Sequence, residues 1–139
     1  MDKYFKINAV LSVFCKRYMD LKKDLPIRPS EMGVLNIITE AETPHTPVML
    51  AEKLSVSKPM ITAHITSLKN QGYISKQPSL EDGRVYYIQP TKKAKLLVEK
   101  VKKDMDKKLE RLANEMSEEK FDSFVKMAEE AACILEEKK

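Results

Sequence analysis

The chain has 139 residues, with 25 Lys and Arg against 21 Asp and Glu, two His, two Cys and no Trp; 42% of it is hydrophobic and 33% charged. This length supports one core rather than two, no apolar run approaches the roughly 20 residues that cross a bilayer, and Met1-Asp2-Lys3-Tyr4-Phe5-Lys6 lacks the apolar stretch of a signal peptide. Two Cys build no disulfide scaffold and three Gly are too few for a turn-rich all-β fold, so a soluble, cytoplasmic, largely helical protein without membrane contact is expected.

Ile7, Leu11, Phe14, Tyr18, Leu21 and Leu25 recur at steps of four and three, which predicts a first helix with one apolar stripe, ending near Pro26. Pro29-Ser30 opens a second, with Ser30 as its N-cap and Leu35 and Ile38 on its inner side. Thr46-Pro47 reads as an N-cap and a proline at the first helical position, starting a short helix through Leu54. Ser55-Val56-Ser57 is a turn, and Ser57 caps a further helix that Gly72 stops. Then the period changes. Tyr73–Gln77 and Val85–Gln89 are rich in aromatic and β-branched residues and flank a polar tip from Pro78 to Arg84, which predicts a hairpin. From Thr91 a long helix carries Leu97, Val101, Met105, Leu109, Leu112 and Met116. Ser117-Glu118-Glu119 breaks it and begins a last helix with Phe121, Phe124, Val125, Ala128, Ala132 and Leu135 on one side.

Charge is unevenly spread. Residues 1–52 balance at 7 basic and 7 acidic groups, 53–95 carry 8 against 2, 96–111 carry 6 against 4, and 112–139 carry 4 against 8. The net charge of +4 is thus the remainder of a basic centre and an acidic end, and the centre suits a polyanion.

Within that centre, the helix after Ser57 places Ile61, Ile65 and Leu68 together on a core side, at about 100° per residue. Pro59, Met60, Ala63, Thr66, Ser67 and Asn70 point away, and Lys58, Thr62 and Lys69 lie on a flank. Small and hydroxyl-bearing side chains allow close approach in a DNA major groove, threonine methyls can touch thymine, and lysines reach phosphates. An ordinary surface helix favours Glu, Lys and Gln, whereas no acid lies between Lys53 and Leu80. The hairpin tip is longer than the two-residue turns that tight hairpins prefer and should project. Arg84 at its end suits a narrow minor groove, and Asp82 is expected to brace either Arg84 or the recognition helix; as turn formers alone, Asp82-Gly83 would need no partner.

The pattern Leu50-Ala51-x-x-Leu54-x-Val56-Ser57-Lys58-Pro59-x-Ile61-Thr62-x-x-Ile65-x-x-Leu68, followed by Gly72-Tyr73-Ile74, Asp82-x-Arg84 and Thr91, resembles the MarR family of winged-helix regulators, and the likeness extends over nearly the whole chain. The resemblance implies a homodimer gripping a pseudo-palindromic operator, a recognition helix starting at Ser57 and a wing whose tip arginine is Arg84. It also implies a small aromatic-acid effector, although no residue pattern here marks a site for one. Where the family commonly has a second basic residue between Asp and Arg, this chain has Gly83, one charge fewer per wing.

The expected fold is mainly α with a small β-hairpin wing, a winged helix-turn-helix with long terminal dimerisation helices. Its expected parts are an N-terminal dimerisation helix over 1–28, a DNA-binding region over 29–91 and C-terminal dimerisation helices over 92–139. The outer helices are too long and too apolar on one face for so small a centre. Pairing across a dimer through Ile7, Leu11, Phe14, Phe121, Phe124, Val125, Ala128 and Leu135 is favoured over an intramolecular bundle. The DNA-binding set is Ser57, Lys58, Pro59, Met60, Thr62, Ala63, Thr66, Ser67, Lys69, Lys76, Asp82 and Arg84 of a sequence-specific transcriptional regulator, a repressor rather than an activator.

Rival readings fare less well. A winged-helix protein-interaction module would carry apolar or acidic residues around Thr62–Thr66, and these are absent. A cysteine-based redox sensor would use Cys15, on the apolar side of the first helix, or Cys133, but no neighbouring pattern activates either thiol. His45 and His64 have no metal-ligand spacing with Cys, and His64, beside the core stripe, suits packing or a phosphate contact. An enzyme is not expected, because the chain has no phosphate loop, nucleophile elbow, paired carboxylates or metal motif. Neither cofactor nor metal is expected.

Overall fold

A computed structural model describes residues 2–20 and 25–136. In chain order it contains α1 (Lys3–Met19), α2 (Pro29–Glu40), α3 (Pro47–Leu54), α4 (Lys58–Asn70), β1 (Ile74–Pro78), β2 (Tyr86–Pro90), α5 (Lys92–Met116) and α6 (Glu118–Ile134). Helices dominate and the two strands form one antiparallel hairpin, the winged-helix architecture that the sequence implied. Among the described residues, 25–102 form one compact unit and 2–20 with 103–136 form a second.

The central unit has an aliphatic core. Val34, Leu35 and Ile38 of α2 pack with Leu50 of α3, with Ile61, Ile65 and Leu68 of α4, and with Ile74 and Ile88 of the hairpin. Ala94 and Val98, at the start of α5, complete it. Each Val, Leu or Ile among them contributes about 1.5–3 kcal/mol relative to exposure. The three buried residues of α4 are those its helical period places inward, so the opposite face is committed to solvent or to a partner.

Local chemistry sets most boundaries. Thr46 Oγ1 accepts from Met49 N at 3.3 Å and Ser57 Oγ from Met60 N at 3.2 Å, so both short helices start where the sequence places their caps. The left-handed Gly72, at φ +81°, ends α4. The second helix departs from expectation. Its N-cap is Arg28 and not Ser30, because Pro29 supplies a pre-set first helical turn and Glu31 Oε1 accepts from Arg28 N at 3.0 Å. Both strands begin one residue later than predicted. Tyr73 is buried and belongs to the helix exit, its N–H donating to Leu68 O at 2.9 Å and its carbonyl accepting from Thr91 N at 3.0 Å.

Lys76 pairs with Ile88 in the hairpin. The Ile88 N–H points to the other side and donates to His45 O at 2.9 Å, so His45 adds a one-residue bridge to β2.

In the second unit, α1 stops at Met19 with Asp20 extended, short of the predicted Pro26. The Lys108 ammonium of α5 donates to the carbonyls of Arg17, Tyr18 and Asp20, satisfying backbone groups that a longer helix would have paired internally. Leu21 of the predicted stripe lies outside the described residues, and Leu25 packs on the core of the central unit. Phe14 makes edge-on ring contacts with Tyr18, centroids 5.8 Å apart, and with Phe124 of α6, 5.4 Å apart. Ser117, at φ +80°, separates α5 from α6 and caps α6 by accepting from Lys120 N at 3.4 Å.

Candidate nucleic-acid interface

The α3–turn–α4 segment is built to present α4. Ser55 is left-handed at φ 54°, ψ 46°, which turns the chain sharply after α3, and Val56 N donates to Ala51 O at 3.0 Å to close the turn. With Ile61, Ile65 and Leu68 locked in the core, Ser57, Lys58, Pro59, Met60, Thr62, Ala63, Thr66 and Lys69 are all exposed. Ser67 differs from the rest of the predicted set. It is half-buried, and its Oγ accepts from Gln71 Nε2 at 3.0 Å, so its hydroxyl is already engaged. The C-terminal end of α4 is tied to α5. Thr91 Oγ1 donates to Gly72 O at 2.7 Å, and Lys93 Nζ donates to Gln71 O at 2.7 Å while lying 4.5 Å from the Tyr73 ring centroid.

The wing is ordered by its own side chains. Ser79 Oγ accepts from the N–H groups of Glu81 and Asp82 at 3.2 and 3.4 Å, and Ser79 N donates to Val85 O at 2.9 Å. Asp82 Oδ1 accepts from Arg84 N at 3.0 Å and lies 3.7 Å from Arg84 Nε. The Arg84 side chain is 94% exposed, so this brace aims the guanidinium without burying it. Lys76 is exposed on β1, its ammonium 4.6 Å from the Tyr86 ring centroid. Leu80, also at the tip, is fully exposed, an apolar residue in what the sequence suggested was a polar loop.

The predicted dimerisation residues lie in the second unit. Ile7, Leu11, Val125, Ala128 and Leu135 are exposed, whereas Phe14, Phe121 and Phe124 are half-buried. Cys15 and Cys133 are both exposed, although the helical stripe had placed Cys15 on the apolar side. Among the described residues, no group of three or more His, Cys, Asp or Glu side chains could hold a metal ion, and no helix is long and apolar enough to cross a membrane.

Sequence reasoning missed two buried polar side chains, His45 and Glu31, and the inward turn of the half-buried His64. His45 was noted for its lack of metal spacing, yet it is buried. Its Nδ1 donates to Thr43 O at 3.0 Å, which leaves Nε2 to accept from Lys53 Nζ at 2.8 Å. Glu31 is 3% exposed beneath α4, and its Oε1 accepts from Arg28 N at 3.0 Å. Burial raises its pKa, but the Ser67 hydroxyl, the Arg28 N–H and the positive charges of Arg28 and His64 outweigh this and hold the carboxyl below its ordinary value. His64 turns its Nε2 into the same interior, buried and unpartnered, instead of toward the outer face. Only the Glu three residues after Arg28, at the position of a capping box, hinted at any of this.

Comparison with known proteins follows the same lines. The MarR family model matches residues 27–86, the segment from α2 to the start of β2. The DNA complex of FabT from Streptococcus pneumoniae is 26% identical with a TM-score of 0.81, covering 96% of this chain and 97% of that one. The MepR–DNA complex from Staphylococcus aureus is 19% identical with a TM-score of 0.75, covering 97% and 100%. A transcriptional regulator from Thermotoga maritima is 23% identical with a TM-score of 0.64, covering 94% of each chain. No match is found among curated proteins.

Proposed function

We propose that this chain, whose winged-helix segment belongs to the MarR family, is a transcriptional regulator that binds double-stranded DNA sequence-specifically as a homodimer. The observation that carries this reading is the outward face of α4. It is small, hydroxyl-bearing and flanked by Lys58 and Lys69, and it lies in the same unit as a wing that holds Arg84 out to solvent. FabT and MepR, which share the fold, have structures in complex with DNA.

In the mechanism, α4 enters a major groove and Arg84 reaches the adjoining minor groove, where the potential is most negative. Two copies read half-sites about one helical turn apart in a pseudo-palindromic operator. Pairing of the exposed apolar residues of α1 and α6 in two protomers sets that spacing. The protein acts as a repressor in the cytoplasm, and a ligand that changes the spacing weakens the fit. A small aromatic acid suits the cleft of about 570 Å³ in the terminal-helix unit, where Arg17 and Arg111 flank Phe14 and Tyr18.

Selection of bound sequences from a random duplex pool tests the reading. Recovery of a two-fold symmetric motif with half-sites about one turn apart is expected; a pool that stays random excludes sequence-specific recognition.

A further inference from the structure

Two arginines of the central unit are held in the same way. Asp82 Oδ1 accepts from the backbone N–H of Arg84 at 3.0 Å, and Glu31 Oε1 accepts from the backbone N–H of Arg28 at 3.0 Å. In both places a carboxylate fixes the main chain beneath an arginine that is itself exposed. The two acids differ in depth, since Glu31 is buried. Burial disfavours its anion, and the Ser67 hydroxyl, the Arg28 N–H and the Arg28 charge restore it. The arginine therefore stands close above the acid that positions it. Glu31 offsets part of its charge, as Asp82 does for Arg84.

What Arg28 faces is α4. At about 100° per residue, Lys58, Thr62 and Lys69 share one flank of its outward face, and Met60, His64, Ser67 and Gln71 share the other. Arg28 lines a cleft of about 720 Å³ together with those four residues and Ala63. Lys58 and Lys69 are the only Lys or Arg of α4, so the helix has neither on this second flank. The cation there comes from the residue before α2. The outward face of α4 is thus bracketed, by its own lysines on one edge and by Arg28 across the other.

We propose that Arg28 binds a backbone phosphate of DNA on the strand opposite the one met by Lys58 and Lys69, so that α4 is held between the two walls of a major groove. A guanidinium presents paired donors that match two phosphate oxygens, and this fixes an orientation that the point charge of a lysine does not. Such a contact carries no sequence information. It sets the depth and tilt of α4, on which base reading by Thr62 and Thr66 depends. The contact rests on the DNA-binding reading and adds to it a residue outside α4 and the wing.

Titration of the full chain onto a selected duplex and a scrambled one, at several salt concentrations, tests it. Gln at position 28 keeps the N–H that Glu31 holds, and circular dichroism with urea midpoints checks the fold. Arg28→Gln should weaken both duplexes alike, by about tenfold, and should make the slope of log affinity against log salt shallower by about 2, one phosphate for each of two protomers. Arg28→Lys should recover the slope and part of the affinity. An unchanged slope in Arg28→Gln overturns the contact. Methylphosphonate linkages, each neutral in place of one phosphate, then locate it. Neutralising the phosphate that Arg28 meets should weaken the wild type and leave Arg28→Gln unaffected, and the same cycle with Lys58→Gln and Lys69→Gln should locate phosphates on the other strand. Coupling of Arg28 to no phosphate, or to the strand that the lysines meet, overturns the clamp. A wild type that binds neither duplex removes the DNA reading itself, whereas duplex binding indifferent to Arg28→Gln removes only this contact.

Discussion

Lys53 donates to Nε2 of the buried His45 across 2.8 Å, and the same residue's carbonyl receives the Ile88 N–H of the wing's second strand at 2.9 Å. One residue in the loop before α3 therefore ties the helix-turn-helix to the wing. His45→Ala removes two side-chain hydrogen bonds and leaves a cavity. It should lower the unfolding free energy by about 2–4 kcal/mol, read from urea denaturation. Lys53→Met keeps the aliphatic stem and should cost less, about 1 kcal/mol.

Arg84→Ala should weaken binding to any duplex and flatten the dependence of affinity on salt, because it removes a cation without removing base contacts. Asp82→Ala frees the guanidinium from its brace. Its effect should be smaller and should fall on the ordering of the wing, visible as faster amide exchange at Arg84, whose N–H donates to Asp82. An unchanged salt slope in Arg84→Ala would exclude the wing contact.

Thr62→Ala and Thr66→Ala should alter which sequences are preferred, by about 1–3 kcal/mol per affected base pair, while nonspecific binding stays nearly constant. Both side chains are exposed, so fold stability should hardly move. Parallel titrations on selected and scrambled duplexes separate the two effects.

Ser55 occupies a left-handed conformation that suits glycine, at φ 54°. Ser55→Gly relieves steric strain and adds chain entropy to the unfolded state; the strain is the larger effect, so a gain of about 0.5–1 kcal/mol is expected in thermal or urea unfolding.

Glu31 supplies a pH dependence. Its folded pKa lies below the ordinary 4.5, so the folded state favours the ionised carboxyl. The stabilisation is present in full above about pH 4.5 and is lost as pH falls from there through the folded value. Wild type should lose more stability than Glu31→Gln between pH 7 and pH 3, as compared by urea midpoints.

Much of the central unit was legible in the sequence because its signals are local. A Thr or Ser followed by Pro, the spacing of Ile61, Ile65 and Leu68, and Gly72 each act within a turn or two of chain, and the helices start and stop close to where those residues predict. The end of α1 was not legible. Its apolar stripe continues beyond Met19, but a lysine from α5, far along the chain, takes the carbonyls that close it.

By itself, then, the sequence determined the order of elements, the inward face of α4 and the character of its outward face, since periodicity and capping depend on near neighbours. Only the tertiary structure decided what lies behind that face. The burial of Glu31, the shielding of His64 Nε2 and the anchoring of β2 by His45 arise where segments distant in sequence converge. Whether a polar atom there finds a partner depends on packing that no local pattern encodes.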